Sequence, residues 1–235
     1  LETVKPTNQT IHVVQTGPLG VNTLVVALDD RYAFVVDPAA CDYCGDQYAV
    51  TKLLSSLGLE CVLCVLTHGH FDHVAGLPYL KKCFPLMPIA IHQADSGYLG
   101  KDSLVQKQSL ECIGFADFFE ALKDLPFADC YLKAEKTLAD CDIKINSKVL
   151  ASLAKWKVLH TPGHTQGSVC LYNADDRLLI SGDTVFYGSW GRTDLPGGSE
   201  MQIQKSLRRI YHDVALETRV YPGHDEYGFV LAQNV

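Results

Sequence analysis

Residues 67–73 of this 235-residue chain read Thr-His-Gly-His-Phe-Asp-His, which sets three imidazoles and a carboxylate within six positions, 68 to 73. Crowded histidines make poor core material, and on a loop after a strand they can converge on a cation that takes nitrogen and oxygen ligands. A strand stands in the right place, because the apolar run Cys61-Val62-Leu63-Cys64-Val65-Leu66 ends where the polar segment begins. The i, i+2 pair His68 and His70 can face one ion while Asp72 and His73 turn to another, so the spacing suits two metals. A fold for this chain must therefore open a strand end onto a site that distant loops can complete.

Three further candidate ligands occupy similar places. His164 follows the strand-like run Lys155–His160, Asp183 follows Arg177–Ser181, and His224 follows Arg219–Tyr221. Each lies in a turn beside a glycine, which permits close backbone approach, and strand ends are where loops from distant sequence meet to build a site. The three group with the 68–73 cluster. His12, His92, His160 and His212 lie outside these motifs and read as structural or surface histidines.

The rest of the chain supplies strands first and helices after them, twice. Residues 10–15, 21–28 and 32–37 are β-rich runs separated by turn residues, the opening of an antiparallel meander. Val50, Leu53, Leu54 and Leu57 recur at helical spacing and Gly58 stops them. Residues 87–92 form another strand. From about 95 to 140 the signal is helical, with Phe115, Phe118, Phe119 and Leu122 on one face before Pro126. Strand pattern returns at 142–145, 155–160, 168–172 and 177–181, and Ser199 with Gln202 fits a capping box for a helix that buries Ile203, Leu207 and Ile210. No linker, repeat or composition break divides the chain, so residues 1–235 read as one domain with a helical insertion at about 95–140. Two packed sheets with helices outside them are the expected architecture.

Asp37, then His68 through His73, His164, Asp183 and His224 resemble, in order, the metal motifs of the metallo-β-lactamase superfamily: an Asp ending an early strand, HxHxDH, a His, an Asp and a final His. The resemblance runs from about residue 11 to 228. It implies an α+β fold, an αββα sandwich of two mixed β-sheets flanked by helices. It implies two divalent metal ions, Zn2+ foremost with Fe or Mn as alternatives. His68, His70 and His164 would hold one, Asp72, His73 and His224 the other, with Asp183 bridging and Asp37 supporting a ligand from behind. The string from Gly182 to Asp194 looks like glyoxalase II and its single-domain relatives, and Asp183 stands where familiar antibiotic-cleaving members carry a Cys. Full-length glyoxalase II adds a C-terminal helical domain that grips glutathione, whereas 11 residues follow His224 here, so recognition of glutathione is left open.

Two cations sharing a water can generate hydroxide near neutrality. The expected enzyme is a binuclear hydrolase acting on a thioester, whose thiolate leaves more easily than an amine or alkoxide, with Asp183 and Asp72 as the catalytic carboxylates. A persulfide dioxygenase with a single Fe(II) on His68, His164 and Asp183, or a lactone hydrolase on the same ligands, are the alternatives. A non-catalytic scaffold would have lost ligands, and none is missing. Arg192 and Asp194 read as a pair that shapes its loop.

Twenty Lys and Arg against 27 Asp and Glu give a net charge of -7, without a basic patch, which argues against nucleic acid and anionic membranes as partners and leaves a small-molecule substrate. No apolar run reaches the ~18 residues of a membrane span, and nine Cys, an odd number, suit cytoplasmic thiols better than a disulfide framework. Cys41-x-x-Cys44 and Cys61-x-x-Cys64 fit a zinc-ribbon spacing. On a strand, positions i and i+3 face opposite ways, so these cysteines are expected to be small buried hydrophobes.

Overall fold

The computed structural model describes residues 10–141 and 143–234. The meander comprises β1 (Ile11–Thr16), β2 (Val21–Ala27) and β3 (Tyr32–Val36), paired antiparallel in turn. Helix α1 (Ala49–Leu57) buries Val50 and Leu54 and ends at Gly58, whose φ of 68° is the left-handed conformation that glycine adopts without a Cβ penalty. It delivers the chain into β4 (Glu60–Val65), parallel to β3. Helices α2 (Phe71–Val74) and α3 (Leu77–Cys83) follow, then β5 (Ile89–His92), α4 (Leu104–Cys112), α5 (Phe119–Leu122) and β6 (Cys130–Leu132). Strands β1 to β6 make one mixed sheet in sequence order.

The second half contributes α6 (Ser147–Leu153), β7 (Lys157–His160), β8 (Val169–Asn173), β9 (Leu178–Gly182) and the hairpin β10 (Val185–Phe186) with β11 (Ser189–Trp190). Helix α7 (Glu200–Asp213), β12 (Arg219–Pro222) and β13 (Phe229–Val230) complete it. Five strands form the second sheet in the order β13-β12-β9-β8-β7, with β12 parallel to β9 and the other pairs antiparallel.

Period-two alternation sorts the strand residues into layers. Leu24, Val26, Phe34, Val36, Leu63 and Val65 face Val158, Val169, Leu171, Leu178 and Ile180 between the sheets. Their neighbours Val25, Ala33, Val35 and Cys64 pack outward against Val50 and Leu54 of α1, Leu77 and Leu80 of α3 and Leu110 of α4. On the far side, Leu159, Cys170, Leu179 and Val220 meet Ile203, Leu207 and Ile210 of α7. The result is the expected helix, sheet, sheet, helix sandwich. Trp156 is fully buried in the middle layer, edge-on to Phe34 at 5.5 Å. No helix of the described residues is long and apolar enough to cross a membrane.

Four local expectations change. A bulge at Val62 shifts the β3–β4 register between Ala33 and Phe34, so Cys61 and Cys64 share the helix-covered face rather than alternating. They still form no ribbon: Cys61 Sγ lies 3.2 Å from Met87 Sδ, and among the described residues no donor group joins either thiol to Cys41 or Cys44. The segment 95–140 is not wholly helical, because β6 extends the sheet beside β5. In the expected strand 142–145, Asp142 lies outside the described residues and 143–145 carry no strand; Ile143 and Ile145 pack against the middle layer instead. The capping box is one-sided: Ser199 Oγ accepts from Gln202 N–H at 3.4 Å, but the Gln202 side chain turns to Gln166.

Candidate metal centre

Asp37 follows β3, His68–His73 follow β4, His164 lies four residues beyond β7, Asp183 directly follows β9 and His224 lies just past β12. The sandwich brings all of these strand ends together. Nitrogen or oxygen atoms of His68, His70 and His164 lie within 4.8 Å of one another, and so do those of Asp72, His73 and His224. His70 Nδ1 sits 2.8 Å from His164 Nε2, and His224 Nε2 sits 3.2 Å from both His73 Nε2 and Asp72 Oδ2. Asp183 touches both sets: its Oδ2 is 3.5 Å from His164 Nε2 and 3.6 Å from His224 Nε2, and its Oδ1 is 3.4 Å from His73 Nε2.

Partners behind the rings aim them inward. His73 Nδ1 meets Asp37 Oδ2 at 3.0 Å, His164 Nδ1 meets the Arg192 carbonyl at 2.8 Å, His224 Nδ1 meets the Leu19 carbonyl at 3.3 Å and His68 Nδ1 meets Thr67 Oγ1 at 3.1 Å. Such bonds fix the tautomer and leave Nε2 for a cation. Asp37 is itself held by the Thr67 N–H at 2.8 Å and hydroxyl at 2.6 Å, and its φ of 49° is an uncommon left-handed value for a residue with a Cβ. Its oxygens are committed to Thr67 and His73. Gly223 has no room for a Cβ, which would strike Asp183 Oδ1 and His73.

Electrostatics follow from burial and crowding. Burial, then the neighbouring imidazoles, hold His68 well below the ordinary histidine range and His70 at about 3. Burial pushes the Asp183 carboxyl up, but His73, His68 and His164 outweigh it and leave the carboxyl well below its usual value. His73 goes the other way: burial lowers it, while Asp183, Asp72 and Asp37 raise it further. Neutral His68 and His70 beside an ionised Asp183 are ready cation ligands, and His73 carries a proton that a cation would displace. His68 Nε2 and Asp183 Oδ1 are buried in the cluster without a hydrogen-bond partner, and His70 turns its Nδ1, not its likewise unpartnered Nε2, toward His164 Nε2. Unsatisfied buried polar atoms are costly, and an imidazole nitrogen and a carboxylate oxygen left so among these donors suit a cation better than a packed polar core.

A cavity of about 400 Å³ opens on His70, Asp72, His164, Asp183 and His224. Its walls are mainly apolar: Leu19, Phe71, Ile113, Phe186 and Leu195, with Ser109, Arg192 and Asp225 as further polar neighbours. Ser109 on α4 and Ile113 at its end bring the 95–140 segment to the mouth. Arg192 donates from Nε and Nη2 to Asp194 at 2.7 and 2.8 Å, the pairing expected of these two. His92 and His160 stack on each other at 4.1 Å, outside the donor sets. Sequence reasoning missed Thr67, Asp95 and Gln106, which bond the metal loops, and the lining residues Leu19, Ser109, Ile113 and Phe186. Asp95 was within reach of the strand-end rule, since it falls just past β5, but no histidine or glycine motif marked it.

Comparison with known proteins gives a family and several relatives. The family model described as the metallo-beta-lactamase superfamily matches residues 16–224. The hydroxyacylglutathione hydrolase GloC of Haemophilus influenzae is 24% identical over 218 residues, 92% of this chain and 91% of that protein. The crystal structure of BLEG-1 B3 metallo-beta-lactamase superposes with a TM-score of 0.77 at 28% identity, covering 95% of each chain. TTHA1623 in a di-iron-bound form gives a TM-score of 0.72 at 28% identity, over 94% of this chain and 96% of that one.

Proposed function

The chain belongs to the metallo-β-lactamase superfamily and is a metal-dependent hydrolase, and from that premise we propose that it hydrolyses thioesters at a two-metal centre. The observation that carries the reading is the convergence of two three-residue donor groups on Asp183, with His68 Nε2 and Asp183 Oδ1 buried and unpartnered among them. His68, His70 and His164 would hold one ion and Asp72, His73 and His224 the other, with the Asp183 carboxylate shared. Two divalent ions there would supply a water of lowered pKa and polarise an acyl oxygen.

The chain's own residues supply the rest. Asp37, Thr67, Leu19 and the Arg192 carbonyl keep the ligand rings in one tautomer and orientation. Leu19, Phe71, Ile113, Phe186 and Leu195 exclude water from an acyl group and bind it by its apolar surface. Asp72 and Asp183 are both held below the usual carboxylate range, burial working upward and the surrounding histidines outweighing it, so neither is a free acid to protonate a leaving amine. A thiolate leaves without such help. The di-iron relative supports two ions, and the GloC relative supports a thioester as substrate.

Metal analysis of the purified protein, coupled to hydrolysis of an aliphatic thioester with a β-lactam and a lactone assayed alongside, tests this. Two ions per chain with thioester turnover well above the other two substrates is the expected result. A single iron with oxygen consumption would replace it by persulfide oxidation, and turnover of the β-lactam alone would replace the substrate.

A further inference from the structure

Asp95 sits in the 3-10 turn Gln93–Tyr98 after β5 and is only 1% exposed. Its Oδ2 accepts from Gly69 N–H at 3.0 Å and from Thr165 Oγ1 at 2.7 Å, and its Oδ1 accepts from Gly167 N–H at 2.7 Å. A turn-stabilising aspartate bonds backbone two or three positions away. Here the partners are 26, 70 and 72 residues distant.

Those partners are informative. Gly69 separates His68 from His70, and Thr165 follows His164, so one side chain bonds both loops that carry the all-histidine donor set. None of its bonds reaches the loop of His224. The Gly69 peptide is gripped on its other side too, where Gln106 Nε2 of α4 donates to the Gly69 carbonyl at 2.7 Å. Close approach is built in: a Cβ on Gly69 would overlap the Tyr98 side chain, and one on Gly167 would come 2.6 Å from Asp95 Cγ. Three donors converge on Asp95, and only a carboxylate presents acceptors to all of them. An amide of the same shape would turn an N–H against one of the donors.

We propose that Asp95 is a positioning residue that sets His68 and His70 against His164, and thereby the affinity of that donor set for its cation, without touching ion or substrate. The proposal depends on the two-metal reading for its binding measurement but not for its measurement on metal-free protein. Partners that orient ligands from behind typically change metal affinity by about ten- to a hundredfold when removed.

The experiment compares wild type with Asp95→Asn. In metal-free protein, amide hydrogen exchange at Gly69 and Gly167 is expected to speed up at least about tenfold in the variant, since both N–H groups lose a charged acceptor. In zinc titrations against a chelator, with the imidazole signals of His70 and His164 followed separately from those of His73 and His224, the all-histidine set should weaken about ten- to a hundredfold and the other set by less than about threefold. Unchanged exchange and affinity would overturn the proposal. Equal weakening of both sets would overturn it too, because a general fold residue behaves that way. Should Asp95→Asn fail to fold, Thr165→Val removes one donor and keeps the carboxylate; it should weaken the same set alone by about threefold or more, and an equal effect on both sets counts against Asp95. A wild type that binds one ion defeats the two-metal reading, while exchange at Gly69 and Gly167 still decides on Asp95.

Discussion

Asp183 is the residue on which the two donor sets meet, and its replacement separates a shared ligand from an ordinary one. Asp183→Ala leaves His164, His73 and His224 without their common carboxylate neighbour. The expected outcome is a loss of at least about a thousandfold in kcat/KM, or ~4 kcal/mol of transition-state stabilisation, and a larger fall in bound metal than any other single ligand change gives. Retention of two ions with unchanged turnover, read by metal analysis and the thioester assay, would remove the bridging role. A second residue-scale prediction concerns His92, which burial and then the stacked His160 ring hold at about 4. A histidine whose folded value lies below its unfolded value binds fewer protons when folded, so its contribution is fully present above about pH 6.5 and is lost as pH falls toward 4. His92→Asn keeps an acceptor for the Ala94 N–H and removes the titration. Relative to wild type, the variant should gain about 1 kcal/mol between pH 7.5 and 4.5 in urea unfolding, a figure reduced for the partial exposure of the ring. Parallel pH profiles would show that the stack carries no such linkage.

At the scale of elements, the strands were legible because buried strands announce themselves twice, by apolar content and by the turn residues that bound them. All three meander strands, and those ending before His68, His164, Asp183 and His224, lie within a residue or two of where the sequence puts them. That is why the donor residues were legible too: each was tied to a strand end. What could not be read was irregularity. The bulge at Val62 depends on the register with β3, which no local pattern in Cys61–Leu66 encodes. The 95–140 segment was misread in part because β6 is three residues long, and its identity as a strand comes from pairing with β5 rather than from its own sequence. The aromatic face did behave as packing: Phe118 and Leu122 are fully buried, Phe118 sits 5.4 Å from Phe71, and only Ser109 and Ile113 of the segment line the cavity. Two outcomes follow. Ile113→Ala removes apolar wall without touching a donor, so it should lower kcat/KM for a branched aliphatic acyl group by about tenfold while leaving acetyl within about twofold, since each lost methylene contact contributes roughly 1 kcal/mol or more. Equal losses for both groups would place Ile113 away from the bound acyl chain. Cys41→Ser with Cys44→Ser should leave metal stoichiometry unchanged, because neither thiol approaches the histidine donor sets; loss of an ion would make Cys41, Cys44 and Asp46 a site after all.

For the molecule as a whole, the proposed thioester chemistry raises the question of what kind of thiol carrier the surface around the cavity could hold. The chain carries a net charge of -7, and the cavity lining adds Asp225 to the carboxylates of Asp72 and Asp183. The one arginine of that lining, Arg192, spends two donors on Asp194 in a two-pronged pair. A carrier bearing free carboxylates would have to loosen that pair or share a guanidinium already neutralised by Asp194, and that cost falls on the carrier and not on the acyl group. On the proposed thioester reading, the apolar walls contributed by Leu19, Phe71, Ile113, Phe186 and Leu195 would bind the acyl part whatever thiol it rides on. Discrimination should therefore lie in the acyl group. For one acyl group carried on glutathione and on a small neutral thiol, kcat/KM should differ by less than about a hundredfold, roughly 2.7 kcal/mol of differential transition-state binding. Steady-state kinetics on the two thioesters, each at saturating metal, measures this directly. A larger preference for glutathione would mean that Arg192 leaves Asp194 to take a glutathione carboxylate. Arg192→Ala would then abolish the preference while leaving turnover of the small-thiol ester nearly unchanged.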